Sequence, residues 1–166
     1  MDIQGRLLIR EGQIQNPGAL EYTLQRILTD IDKGSKFNTN NKDLIQENLT
    51  PEDYLKQLAK RGYDAMLGYD GETVFGHIVY QEHQGGKSWH VFRVKVQEEF
   101  VAKGYALPFV ISFIEKARNY GVDEIKLGNE ETKNEKMVKL LRILERRECE
   151  LHLRVNRESH LVVMGL

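Results

Sequence analysis

Between Ala65 and Val96 the chain takes up a two-residue periodicity and is broken twice by glycine turns. Residues 65–69, 73–83 and 88–96 read as strands, and Asp70-Gly71 and Gly85-Gly86 supply the backbone freedom that tight hairpins need. Three consecutive strands joined this way form an antiparallel meander. The third strand then passes through polar Gln97-Glu98-Glu99 into Val101-Ala102-Lys103-Gly104-Tyr105-Ala106. From Leu107 to Tyr120 the apolar residues Val110, Ile111, Phe113, Ile114 and Ala117 recur at helical spacing, with Gly121 as a natural C-cap. Pro108 fits only in the first turn of that helix. Glu124 to Leu127 reads as the next strand, so the helix is a crossover and the sheet is mixed.

The flanks complete an α+β pattern. Residues 5–10 make a short apolar strand, and Asn16-Pro17-Gly18 starts a helix at residue 18, in which Leu20, Leu24, Ile27, Leu28 and Ile31 recur until Gly34 stops it. A polar loop covers 35–43. Thr50-Pro51-Glu52-Asp53 caps a second helix that Gly62 closes. Asn134 to Arg147 is an amphipathic helix, and 149–155 with 160–165 form a closing strand pair around Asn156-Arg157-Glu158. The expected fold is a mixed, mostly antiparallel sheet of about six to seven strands flanked by about four helices, in a single domain over 1–166.

Charge and cysteine usage narrow the function. Twenty-four lysines and arginines stand against 25 acids, so the overall balance calls for no nucleic-acid or membrane partner. Cys149 is the only cysteine, which excludes an internal disulfide and a cysteine-based zinc site. No stretch approaches the ~18 apolar residues of a membrane span, and the N-terminus lacks the pattern of a secretory signal. A soluble, cytoplasmic protein is expected.

The strand-to-helix junction at Val101–Ala106 is the candidate functional feature. Unpaired backbone N–H groups at such a turn, the helix dipole and the Lys103 ammonium all favour an anion, and Gly104 and Ala106 let a phosphate approach the backbone. Taken alone, a glycine here is equally a device for a tight turn.

With the strand before it and the helix and short strand after it, residues 64–166 resemble the GNAT superfamily of acyl-CoA-dependent N-acyltransferases. The family signature is Q/R-x-x-G-x-G/A; Gly104 and Ala106 fill its last two slots, while Val101 stands where glutamine or arginine is usual. The resemblance implies that Val101, Ala102, Lys103, Gly104, Tyr105 and Ala106 hold the pyrophosphate of acetyl-CoA. It implies too that the pantetheine arm lies between two splayed strands, against the backbone of Arg93 to Val96, with Val94, Lys95 and Val96 supplying the oxyanion contact. Asn134 falls in the slot of a family asparagine, and is equally an N-cap.

The resemblance leaves the acid and the base to be assigned. A tyrosine seven residues after the asparagine is common in the family, but Leu141 stands there, so either the thiolate leaves without help or water or Tyr105 substitutes as acid. Lysine-acetylating relatives carry a glutamate eleven residues before the Q/R slot, which here is His90. Strand alternation puts His90 on one face with Phe92, Val94 and Val96. Its pKa near neutrality suits a base, and its position equally suits a partly buried structural histidine. Glu82, His83 and His77 are weaker candidates. Trp89, Tyr63, Tyr69 and Tyr80 either line an acceptor site or pack in the core, and Lys139, Arg142, Arg146 and Arg147 mark the solvated face of their helix. The expected activity is acetyl transfer from acetyl-CoA to an amine of a small molecule, peptide or protein. A non-catalytic coenzyme A-binding or regulatory module of the same fold is the alternative, and a purely structural role is a third. A homodimer is left open.

Overall fold

The computed structural model describes residues 2–11, 51–127, 135–147, 152–156 and 161–166. Along the chain the elements are β1 (Ile3–Leu7), α1 (Leu8–Glu11), α2 (Pro51–Lys60), β2 (Tyr63–Asp70), β3 (Thr73–His83) and β4 (Ser88–Val96). There follow α3 (Glu98–Val101), α4 (Ala106–Asn119), β5 (Glu124–Leu127), α5 (Glu135–Arg147), β6 (His152–Asn156) and β7 (Leu161–Gly165). Seven strands among the described residues form one sheet in the order β1-β2-β3-β4-β5-β7-β6. Every pairing is antiparallel except β4 with β5, which α4 joins as a crossover. The expected helix at 18–31, the loop at 35–43, Thr50 and Cys149 lie outside the described residues.

Both faces of the central strands are covered, so β2 is buried throughout from Asp64 to Tyr69. On one face Met66, Ile78, Tyr80, Trp89 and Val91 meet Phe109, Phe113 and Ile114 of α4 and Met137, Leu141 and Leu144 of α5. On the other, Ala65, Leu67, Tyr69 and Val79 pack with Leu8 of α1 and with Leu55 and Leu58 of α2. Each such fully buried side chain contributes roughly 1.5–3 kcal/mol.

The N-terminal segment corrects one expectation. Residues 5–10 are not a single strand: β1 ends at Leu7 and the chain winds into α1. The cause lies in β2, where the buried Asp64 carboxylate accepts hydrogen bonds from the Ile9 N–H at 3.0 Å and the Tyr80 hydroxyl at 3.1 Å. The Glu11 side chain likewise accepts from the Leu7 N–H at 2.7 Å. These bonds draw the backbone off the sheet and turn Leu8 into the second core. Burial raises the Asp64 pKa, against the lowering effect of those donors.

Two bulges shape the meander. In β3, Gly76 pairs with Gly68 but Val74 pairs with Tyr69, leaving Phe75 as an extra residue. In β4, Arg93 pairs with Val79 but Val91 pairs with Tyr80, leaving Phe92 extra. At Gly76 the β3 and β4 backbones come so close that a Cβ would stand 2.5 Å from the Lys95 carbonyl oxygen. A backbone oxygen cannot swing aside as a side chain can. Gly76→Ala is therefore expected to lower stability by about 1–3 kcal/mol in urea unfolding, and an unchanged midpoint would contradict this close approach.

Candidate active site

The junction after β4 is more ordered than its sequence suggests. Gln97-Glu98-Glu99 do not form an open turn but begin α3, with two acids in its positive first turn. Gly104 ends this short helix at φ +82°. The Gly104 N–H donates to the Val101 carbonyl at 3.0 Å and the Tyr105 N–H to the Phe100 carbonyl at 3.1 Å, the pattern of a Schellman cap. The accompanying apolar contact is between the Phe100 and Tyr105 rings, with centroids 5.1 Å apart. The Ala102 and Lys103 N–H groups donate to the Glu98 and Phe100 carbonyls, both at 3.2 Å. The amides of Ala102, Lys103, Gly104 and Tyr105 are thus already bonded within the turn, which corrects the expectation that they point out of it unpaired.

What suits an anion here lies one step further on. Ala106 and Leu107 occupy the first turn of α4, where N–H groups have no acceptor one turn back, and no acidic residue shares that turn. Lys103 is exposed beside it, its ammonium 5.4 Å from the Phe100 ring centre. Val101, Ala102 and Gly104 are exposed as well, and Gly104 faces open space. The fit to a diphosphate therefore rests on the α4 N-terminus and Lys103, with Gly104 serving the conformation of the turn. Asn134 lies outside the described residues.

Among the described residues β4 pairs with β5 over its first half, from Ser88↔Glu124 to Val91↔Leu127, and β4 continues to Val96. The bulge at Phe92 directly follows the last described pair. It also reverses which face each side chain takes. Trp89 and Val91 enter the core beneath α4, Phe92 packs on the opposite core, and Val94 and Val96 return to the α4 side. Lys95 is exposed. His90 therefore does not share a face with Val94 and Val96, because simple alternation fails across an inserted residue. Instead it shares the face of Phe92 and of Arg93, which pairs with Val79 of the second core.

His90 is paired with Gln81 on β3 and with Lys126 on β5. Its ring stacks on His83 with centroids 3.8 Å apart and planes 16° from parallel. Among the described residues its Nε2 is buried and meets no hydrogen-bond partner. Burial lowers its pKa first, and the nearby His83 and Lys126 lower it further, against Glu124. The Glu124 carboxylate accepts from the Ser88 hydroxyl at 3.1 Å and lies 3.4 Å from the Lys126 ammonium. The lowered pKa favours the neutral imidazole, the form that can accept a proton, and Nε2 is uncommitted among the described residues.

Tyr105 stands apart from His90. Its ring is buried edge-on to Phe75, with centroids 5.0 Å apart, and its hydroxyl donates to the Asp70 carboxylate at the β2–β3 turn. That bond raises the Tyr105 pKa and lowers that of Asp70. His90 lies towards the other end of β4, so the fold does not bring the two sequence-derived catalytic candidates together. Leu141 is a core residue on α5, and Trp89, Tyr80 and Tyr69 are core rather than site. Tyr63 packs edge-on against Phe92 at 5.8 Å, and His77 is buried in mid-strand. Glu82 is tied to Arg10, and Lys139, Arg142, Arg146 and Arg147 form the exposed face of α5. The sequence reading gave Arg93 a backbone role alone and passed over the bulge, although the apolar residues of β4 move from odd positions (Trp89, Val91) to even ones (Val94, Val96), which marks an inserted residue.

No protein-family model and no curated protein matches the sequence. Solved structures do match. A variant of the spermidine/spermine N-acetyltransferase SpeG from Vibrio cholerae is similar at TM-score 0.57 and 15% identity, over 98% of this chain and 92% of that one. An acetyltransferase of the GNAT family from Staphylococcus aureus Mu50 gives 0.53 and 13%, over 99% of each chain. The PaiA N-acetyltransferase from Thermoplasma acidophilum, in complex with coenzyme A, gives 0.53 and 12%, also over 99% of each. The fold is that of the GNAT superfamily. At these identities the likeness is one of architecture, and it covers the expected α+β sheet and its crossover. Among the described residues no helix is long and apolar enough to cross a membrane, and no group of histidine, cysteine and acidic residues could hold a metal.

Two outcomes follow from the geometry of this GNAT fold. Gly104→Ala should cost roughly 1 kcal/mol, because an L-residue is strained at positive φ, and thermal melting would reveal it. His90 should titrate below the ordinary value of 6.5 when followed by imidazole NMR. Above 6.5 neither folded nor unfolded protein carries the proton; below it the unfolded chain gains the proton first, so His90 destabilises the fold only on the acid side. A midpoint at or above 6.5 would overturn this assignment.

Proposed function

We propose that this chain is an acetyl-CoA-dependent N-acetyltransferase, formed as one domain over residues 1–166. The observation that carries the reading is the course of β4: a bulged strand runs on to Val96 past its described pairs with β5, with a histidine of lowered pKa just before the bulge and the N-terminus of α4 beyond the turn that follows the strand. When bound, acetyl-CoA supplies the activated acetyl group. The backbone of Val94, Lys95 and Val96 would lie along its arm. The first-turn amides of α4, with Lys103, would meet its diphosphate, and Val101 to Ala106 would form the wall of that site. The acceptor amine must be neutral to act as a nucleophile, and His90 takes its proton at Nε2. Tyr105 is held by Asp70 away from this point, so the departing thiolate takes its proton from water, which its low basicity allows.

One observation favours a second reading. The amides of Lys103 to Tyr105 are used within their own turn and Leu141 is packed in the core, which suits a coenzyme A-binding or regulatory module without transfer. Calorimetric titration with acetyl-CoA, followed by release of coenzyme A thiol in the presence of a panel of amines, separates the two. Saturable binding with amine-dependent thiol release is expected. His90→Gln should lower kcat by about 100-fold or more with the acetyl-CoA Kd unchanged, and the pH profile of kcat/KM should have its acid limb below 6.5. Binding without transfer would establish the second reading, and no binding would remove both.

A further inference from the structure

The bulge in β4 changes which of its side chains share a face. In a regular strand residues 90 and 93 would face opposite sides of the sheet. The extra residue at Phe92 turns Arg93 onto the face of His90, three positions further along and beyond the last described β4–β5 pair. Arg93 is half-buried there, and among the described residues its Nε is shielded from solvent and has no hydrogen-bond partner. A buried guanidinium donor left unmet is costly, and the cost is removed when an acceptor group reaches it. Among the described residues the carboxylate on this face, Glu124, is already engaged with Ser88 and Lys126. The other titratable neighbours of His90 among the described residues are His83 and Lys126.

We infer that the acceptor of the proposed reaction is an amine that also carries an oxyanion, a carboxylate or a phosphate, and that Arg93 binds this group while His90 meets the amine. A guanidinium offers Nε–H and one Nη–H as a parallel fork that matches either oxyanion. Three residues of strand separate the two side chains by roughly 10 Å of backbone or less, and the flexible arginine shortens that span, which suits small amino acids. Arg93 does not serve the cofactor's diphosphate, because it points to the face opposite Val94, Val96 and α4.

The inference rests on the acetyltransferase reading, and its test separates the two. The intact chain is assayed with matched amines: glycine against glycinamide, 4-aminobutyrate against 4-aminobutanamide, and O-phosphoethanolamine against ethanolamine. In parallel, the Nε–H resonance of Arg93 is followed by NMR as each compound is added without acetyl-CoA. The anionic member of at least one pair should show a tenfold or greater advantage in kcat/KM and should shift the Arg93 resonance. Which pair responds identifies the carboxylate or the phosphate. In Arg93→Gln the advantage should fall towards one, while Arg93→Lys should retain some of it. Equal use of the neutral partners with no Nε–H shift would overturn the inference, as would a weaker acetyl-CoA Kd in Arg93→Gln. If no amine is acetylated, the NMR titration still decides the arginine site, and the missing transfer counts against the acetyltransferase reading alone.

Discussion

One inserted residue in the middle strand of the sheet decides which of its side chains share a face. With Phe92 bulged out, β4 gives Trp89 and Val91 to the core beneath α4, changes parity, and gives Val94 and Val96 to that same core. Without the insertion, a strand with this sequence would place one of these apolar pairs on the opposite face of the sheet. The bulge also brings His90, Phe92 and Arg93 to one face. It directly follows the last described pair of the parallel ladder to β5.

The two cores hold this arrangement in place. Trp89 and Tyr80 stack with ring centroids 4.4 Å apart, and Phe113 meets both from α4. They lock the paired half of β4 to β3. At the other end, Phe75 gathers the rings of Phe100, Tyr105 and Phe109 around itself. That aromatic cluster ties the Schellman turn to the start of α4 and fixes the direction in which the helix N-terminus points. The stretch of β4 between these two rigid ends lies beyond its last pair with β5.

The histidine pair shows how burial sets chemistry. His83 and His90 stack face to face, and an imidazolium in that stack would meet its neighbour's ring and the Lys126 ammonium without enough water to offset them. The neutral form is therefore favoured, and it is the form a base requires. Tyr105 is the opposite case. Its bond to Asp70 holds the phenol proton in place, so a residue that the family resemblance offered as an acid has a structural task.

The sequence by itself determined the meander, the crossover and most of the core, because those follow from local periodicity and from glycines at positive φ. Gly62, Gly71, Gly104 and Gly121 all adopt that conformation, and α4 and α5 fall within a residue of the stretches whose apolar spacing announced them. The family likeness of the fold was legible for the same reason. Only the tertiary structure decided which side chains share the site. The face of a strand residue depends on pairing with a neighbour, so a single insertion at Phe92 overturned the alternation that had grouped His90 with Val94 and Val96. The use of the junction amides was hidden too, since a cap is completed by carbonyls whose direction depends on the helix before it. Tyr105 and His90 were separated by the same physics: residues near in a motif can be claimed by partners, such as Asp70, that only folding brings within reach.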